Sequence, residues 1–227
     1  MRIGIIVAMS VEYRQLANRL TRRTEQAHAP FHFTEGQAGG NQIILMQCGI
    51  GKTNAAVGTT ELIRHYHPDC IISTGVAGGV GSQVRVMDVV VGAQLAYHDV
   101  WCGEGNEYGQ VQGLPARFAT DGPLYQKALS LEVPTRLHGG LICTGDQFIT
   151  AGQELDTILR RFPDALAVDM ESAAIAQVCH LYQVPFLSFR IISDTPNHEN
   201  NFHQYLNFWE EMADRSFQVT EALLKAL

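Results

Sequence analysis

Short apolar runs rich in β-branched residues recur along the chain at 3–7, 43–46, 70–73, 89–93, 141–143, 165–168 and 186–192. They alternate little with polar residues, which is the pattern of strands buried on both faces. Amphipathic stretches lie between several of them, at 11–20, 53–66 and 171–182, and a last one at 206–224 closes the chain. Strand-like and helix-like segments in alternation predict an α/β fold with a mostly parallel, helix-covered sheet. The segments 75–92 and 98–113 are richer in glycine and polar residues, and read as functional loops or as antiparallel excursions from the sheet. No internal repeat interrupts the pattern, so 1–227 is expected to form one domain.

The polar positions gain meaning from this frame. Glu12, Glu171 and Asp194 each fall just beyond an apolar run, where a strand ends and a helix begins. Open α/β sheets place their chemistry at that edge. Carboxylates arriving there from separate segments suit acid/base work better than a solvated face, because surface charge has no reason to favour strand ends. An enzyme is the expectation.

Composition narrows the partners. A net charge of -7 without a Lys/Arg cluster offers a nucleic-acid backbone nothing to hold. No stretch is long and apolar enough for a membrane span, and the first residues lack a signal-peptide pattern, so a cytoplasmic protein acting on a small molecule is expected. The five cysteines, Cys48, Cys70, Cys102, Cys143 and Cys179, are widely spaced and read as buried free thiols. His198, Glu199 and His203 resemble HExxH, but the histidines are five apart rather than four and would not share a helical face, so no metal is expected.

Several motifs admit two readings. Gly75-Val76-Ala77-Gly78-Gly79 follows the run 70–73 and suits either a tight turn or a loop that lets a ligand approach the backbone. It is not GxGxxG, and no GxxxxGK[ST] exists, so dinucleotide and triphosphate sites lack their cradle. Asp169 and Glu171 sit at a helix start. Capping needs one acid, and the helix dipole is expected to keep Glu171 ionised as an acceptor for sugar hydroxyls. Arg190 and Asp194 bracket an apolar strand, either as a buried ion pair or with Asp194 crowded into acting as an acid. Phe148, beyond another strand, suits the core or a stack against a planar base.

Together these residues resemble one family, the 5'-methylthioadenosine/S-adenosylhomocysteine nucleosidases within the purine nucleoside phosphorylase-like group. The resemblance runs through residues 3–9 with Glu12, residues 48–52, 75–79, 97–99 and 107–110, Gly145-Asp146, residues 168–171 and 192–194. It implies a three-layer α/β/α domain with a mixed central sheet, a homodimer whose subunits complete each other's pockets, and hydrolysis of the N-glycosidic bond of 5'-methylthioadenosine, S-adenosylhomocysteine or a similar nucleoside. No cofactor beyond water is implied.

Carried over residue by residue, Asp194 would protonate purine N7 with Ser193 orienting it, and Glu12 would activate water. Met170 and Glu171 would hold the ribose, and Phe148 and the Ile149 backbone the purine, with Ala77 and Gly78 on the facing wall. Met9, Ile50 and Phe202 would enclose the sugar and its 5' substituent, and Arg190 matches an arginine near the ribose and water. Val76 stands where related phosphorylases commonly have serine, which favours water over phosphate as nucleophile. Ser10 and Val11 replace acids, Asp169 replaces a glutamate, and residues 100–106 differ from the family and are one residue shorter, so the 5' group is the least defined part of the substrate. A nucleoside phosphorylase, an aminodeoxyfutalosine nucleosidase and a non-catalytic nucleoside-binding protein are the rivals.

Overall fold

The computed structural model describes residues 1–196, 201–211 and 213–227; His198 and Glu199 lie outside them. The elements run β1 (Arg2–Val7), α1 (Ser10–Ala17), β2 (Thr21–His28), β3 (Phe31–Ala38), β4 (Asn41–Gln47) and α2 (Lys52–Tyr66). Then follow β5 (Cys70–Gly79), β6 (Val89–Tyr97), β7 (Phe118–Ala119), α3 (Gly122–Leu129), β8 (Leu137–Thr144) and α4 (Gln153–Arg161). The chain ends with β9 (Ala165–Asp169), α5 (Ser172–Tyr182), β10 (Phe186–Asp194), α6 (Asn201–Glu211) and α7 (Ala213–Ala226).

All ten strands join one mixed sheet in the order β10-β6-β8-β9-β5-β1-β4-β3-β2, with β7 on β6. β1 pairs in parallel with β4 and β5, and β8 in parallel with β6 and β9. β10 runs antiparallel to β6 and also parallel to β5, so β5, β10, β6, β8 and β9 close on themselves. The central strands have both faces covered, as their unalternating apolar sequences require. On one face α2 and α5 pack together, burying Leu62, Ile63, Ile175 and Cys179 against Ile44, Ile71 and Ile142. On the other, Leu16 of α1, Leu124 of α3 and Leu223 of α7 pack on Ile5, Ile43 and Ile72. The result is the expected three-layer arrangement.

Several segments differ from the sequence reading. The hairpin of β2 and β3 was not predicted, because β2 is an edge strand whose polar residues carry no apolar face. The glycine-rich stretch is not all loop: Gly75–Gly79 belongs to β5, and Gly78 and Gly79 pair antiparallel with β9, the excursion that was the alternative. A Cβ on Gly75 would lie 2.6 Å from both Glu12 Oε1 and Arg190 Nη1, so glycine there makes room for two charged side chains. The closing amphipathic stretch is two helices, α6 and α7, and α6 begins five residues before 206. Residues 98–117 form no regular element, in line with the loop expected at 98–113.

Candidate active site

The parallel strands end on one edge of the sheet, and the segments leaving that edge wall a cavity of about 120 Å³. It is lined by Met9 and Glu12 after β1, Ile50 after β4, Val76, Ala77 and Gly78 of β5, Phe148 and Ile149 after β8, Asp169 at the end of β9 with Met170 and Glu171 beyond it, Ser193 and Asp194 of β10, and Tyr205 of α6. Cavities of about 260 Å³ and 510 Å³ elsewhere hold no such convergence of buried carboxylates. Of the residues expected at the site, Arg190 and Phe202 do not line it. Arg190 is fully buried behind the wall, and Phe202 is exposed on α6, its ring 6.1 Å from that of Phe148. Tyr205 was not foreseen: its hydroxyl donates to Met9 Sδ at 3.4 Å, and its ring packs edge-on against Phe148.

Glu12 turns back on the start of its own helix. Its Oε2 accepts from the backbone N–H of Ala8 at 3.0 Å and Met9 at 2.9 Å, and Oε1 accepts from Val76 at 3.2 Å. Burial raises its proton affinity, and the three amides with the charge of Arg190 offset only part of that. The carboxylate is therefore a better base than an exposed glutamate and is fixed in direction.

Asp194 has a different environment. Ser193 Oγ donates to Oδ1 at 2.7 Å, and Asn201 Nδ2 donates to Oδ2 at 3.3 Å while also reaching the Ile149 carbonyl at 3.2 Å. Burial again raises its proton affinity, with the Ser193 and Asn201 hydrogen bonds opposing. Among the described residues no neighbouring cation pulls it back down, so Asp194 is suited to hold a proton and deliver it. The buried Arg190–Asp194 pair is not formed, because the partner of Arg190 is Asp169: Nε lies 2.8 Å from Oδ2.

That pair also corrects the reading of Glu171. Asp169, not Glu171, caps α5, accepting from the Ser172 N–H at 3.3 Å and from Thr144 Oγ1 at 2.6 Å. Glu171 makes no cap hydrogen bond and instead accepts from the Gly51 N–H at 2.9 Å. Its proton affinity is pushed up to about 7 by burial, Arg190 lowering it and Asp169 raising it. The helix dipole does not keep it ionised, because loss of hydration outweighs a dipole worth ~1 kcal/mol.

The mouth of the cavity is held by charge. Lys52 Nζ lies 2.7 Å from both oxygens of Asp99, Asp99 accepts from the Asp146 N–H at 3.0 Å, and Asp146 accepts from the Lys52 N–H at 2.7 Å. This ring ties the turn carrying Ile50 to the loop carrying Phe148. Both side chains stay about half exposed at the opening, Ile50 at 53% and Phe148 at 45%. The segment 100–106 leaves Trp101 and Cys102 exposed, so Cys102 departs from the buried thiols expected, and the other four cysteines are buried. Among the described residues no group of three or more His, Cys, Asp or Glu side chains is placed to hold a metal, and no helix is long and apolar enough to cross a membrane.

Comparison with known proteins places this geometry. The profile described as the Phosphorylase superfamily matches residues 2–225. The chain is 42% identical to a 5'-methylthioadenosine/S-adenosylhomocysteine nucleosidase of Chromohalobacter salexigens, over all of this chain and 97% of that protein. It is likewise 42% identical to the protein of that name from Anoxybacillus flavithermus, over all of this chain and 99% of that one. Among solved structures, the Streptococcus pneumoniae nucleosidase with the transition-state inhibitor MT-ImmA superposes with a TM-score of 0.94 at 38% identity, covering all of this chain and 99% of its own. The Colwellia psychrerythraea nucleosidase in complex with adenine gives 0.92 at 35%, covering all of this chain and 96% of its own. The chain belongs to the 5'-methylthioadenosine/S-adenosylhomocysteine nucleosidase family of the phosphorylase superfamily.

Proposed function

We propose that this N-glycosidic hydrolase cleaves 5'-methylthioadenosine and S-adenosylhomocysteine, or a close 5'-modified adenosine, to adenine and the modified ribose. One observation carries the roles: a single cavity holds two buried carboxyl groups in separate surroundings, Glu12 fixed by backbone amides beside Arg190 and Asp194 hydrogen-bonded by Ser193 and Asn201. Arg190 acts on both Glu12 and Glu171, and Glu12 acts on Glu171, whereas the described groups acting on Asp194 are Ser193 and Asn201. Two titrating groups kept apart in this way divide naturally into base and acid.

Asp194 gives its proton to N7 of the purine as the C1'–N9 bond breaks and its electron pair enters the ring. Glu12 takes a proton from water as the water oxygen bonds to C1', and Glu171 faces the sugar on which positive charge develops. Anions placed there are complementary to the transition state rather than to the neutral substrate. Ser193 orients Asp194, Phe148 stacks on the base, and the Ile149 backbone meets its edge with Ala77 and Gly78 opposite. Met170 packs on the ribose, and Met9, Ile50 and Phe202 lie toward the 5' group.

Water is favoured over phosphate for an electrostatic reason. The buried cation behind the cavity, Arg190, is already paired with Asp169 and bonded to Ser73, while Glu12, Asp169 and Glu171 surround it. A phosphate dianion would enter a net negative pocket with no free cation among the described lining residues. The exposed apolar side chains Ile50, Val57 and Trp101 support a homodimer in which segment 100–106 of one subunit approaches the opening of the other. Reaction in H₂¹⁸O tests the nucleophile: the label must appear on C1 of the released sugar, and a sugar phosphate among the products would overturn the reading. Light scattering at micromolar concentration tests the dimer, and a monomeric mass would remove it.

A further inference from the structure

Among the described residues Arg190 is the largest fully buried side chain, and the charges of three carboxylates, Asp169, Glu171 and Glu12, act on it. Its guanidinium is held at two ends. Nε meets Asp169 Oδ2 at 2.8 Å and Ser172 Oγ at 3.0 Å, and Nη2 donates to Ser73 Oγ at 2.8 Å. The third nitrogen, Nη1, converges with Glu12 Oε1 on the space left by the missing side chain of Gly75. Even so, the ion pair of Arg190 among the described residues is with Asp169 and not with Glu12. Asp169 is itself locked by α5, through Ser172, and by β8, through Thr144. These contacts fix where the charge of Arg190 is spent, a few ångströms from the two carboxylates assigned to water and ribose.

We propose that Asp169, with Ser73, is a positioning residue that holds the Arg190 guanidinium away from Glu12 and Glu171, so that Glu12 remains basic enough to take a proton from water. Asp169 touches neither reacting atom and acts through Arg190. An arginine free to pair with Glu12 would make that carboxylate a weaker base, because a partnered carboxylate binds protons less readily. The inference rests on the assignment of Glu12 as base, yet the placement of the charge is testable without turnover.

The charged and titratable groups facing Glu12 and Glu171 are Arg190 from β10, Asp169 from β9, Cys48 beyond β4 and Tyr205 from α6, besides one another. The described groups that shift Asp194 are Ser193 and Asn201 rather than Arg190. Removing the charge of Asp169 therefore has an asymmetric effect. Asp169→Asn keeps a carbonyl for Thr144 and the Ser172 N–H, releases Arg190 toward Glu12 and Glu171, and removes a like charge from Glu171. Both changes favour the ionised forms. The acid limb of kcat/KM, set by groups that must be ionised in the free enzyme, moves to lower pH by about one unit, while the alkaline limb set by Asp194 stays in place. A residue that merely supports the fold would lower the melting temperature or kcat and leave both limbs where they were.

The experiment has two arms. Glutamate-selective ¹³C-carboxyl NMR titration of the unliganded protein, wild type against Asp169→Asn and Ser73→Ala, reads the carboxylates directly. The pH profile of kcat/KM for 5'-methylthioadenosine reads their consequence. Titration of Glu12 and Glu171 at lower pH in both variants, with only the acid limb displaced, is the expected result. Unmoved titrations overturn the inference whatever the activity. Wild-type protein that titrates as described but releases no adenine overturns the functional reading instead. Should Asp169→Asn not fold, Ser73→Ala decides alone, because it cuts the second tether while leaving the cap of α5 intact.

Discussion

Replacing Asp194 with asparagine removes the acidic proton and, at the Oδ2 position, the acceptor of the long Asn201 hydrogen bond. The carboxyl is 2% exposed, its Oδ1 accepts from Ser193 at 2.7 Å, and the asparagine carbonyl can take the same bond. Asparagine is also neutral, the form that burial favours for Asp194. The fold is expected to survive, with a melting temperature within a few degrees of wild type. The chemistry is not: a positioned general acid contributes roughly 10²–10⁴-fold, which is about 3–5 kcal/mol in the barrier. Adenine release followed by absorbance, at substrate concentrations spanning KM, should show kcat reduced by that factor and KM changed by less than about fivefold. Loss carried by kcat is the mark of an interaction made in the transition state. A folded Asp194→Asn protein with kcat within about fivefold of wild type would refute the assignment of the acid.

Two further substitutions separate electrostatics from packing. In the folded protein Glu171 holds its proton up to about pH 7, whereas an unfolded glutamate releases it near 4.5, so ionising it costs stability progressively between those values and fully above them. Glu171→Gln, which still accepts from Gly51, should therefore melt higher than wild type at pH 8, by up to about 3 kcal/mol, and lose that advantage by pH 4.5 while binding nucleoside more weakly; an equal difference at both pH values in thermal melts would contradict the cause given. Phe148→Ala removes a half-exposed ring, so stability should change little while KM rises about 5–100-fold from a lost stack of ~1–3 kcal/mol, and an unchanged KM would take Phe148 out of the base site.

The buried strands were legible because their sequences carry the physics directly: the runs in β1, β4, β5 and β10 are apolar on both faces because both faces are covered. β2 was not, since an exposed edge strand needs no apolar face and Thr21–His28 has none. α3 and α4 were not read from the sequence either. At the site, positions beyond strand ends pointed to Glu12, Glu171 and Asp194, and all three meet in one cavity. What sequence position does not encode is which partner each charge finds. Arg190 is four residues from Asp194 yet pairs with Asp169 across the sheet, and that pairing frees Asp194 from a cation and Glu171 from capping. Tyr205 lay one residue outside the helix expected to begin at 206, and Asn201, which bridges Asp194 and Ile149, carries no signal of its own in the sequence.

The most direct test of the account is adenine release from 5'-methylthioadenosine in buffer freed of phosphate, repeated with phosphate added. A cavity whose buried arginine is already neutralised by Asp169 predicts full release without phosphate and no acceleration when it is supplied. Release that appears only with phosphate would contradict the central claim that water, activated by Glu12, is the nucleophile.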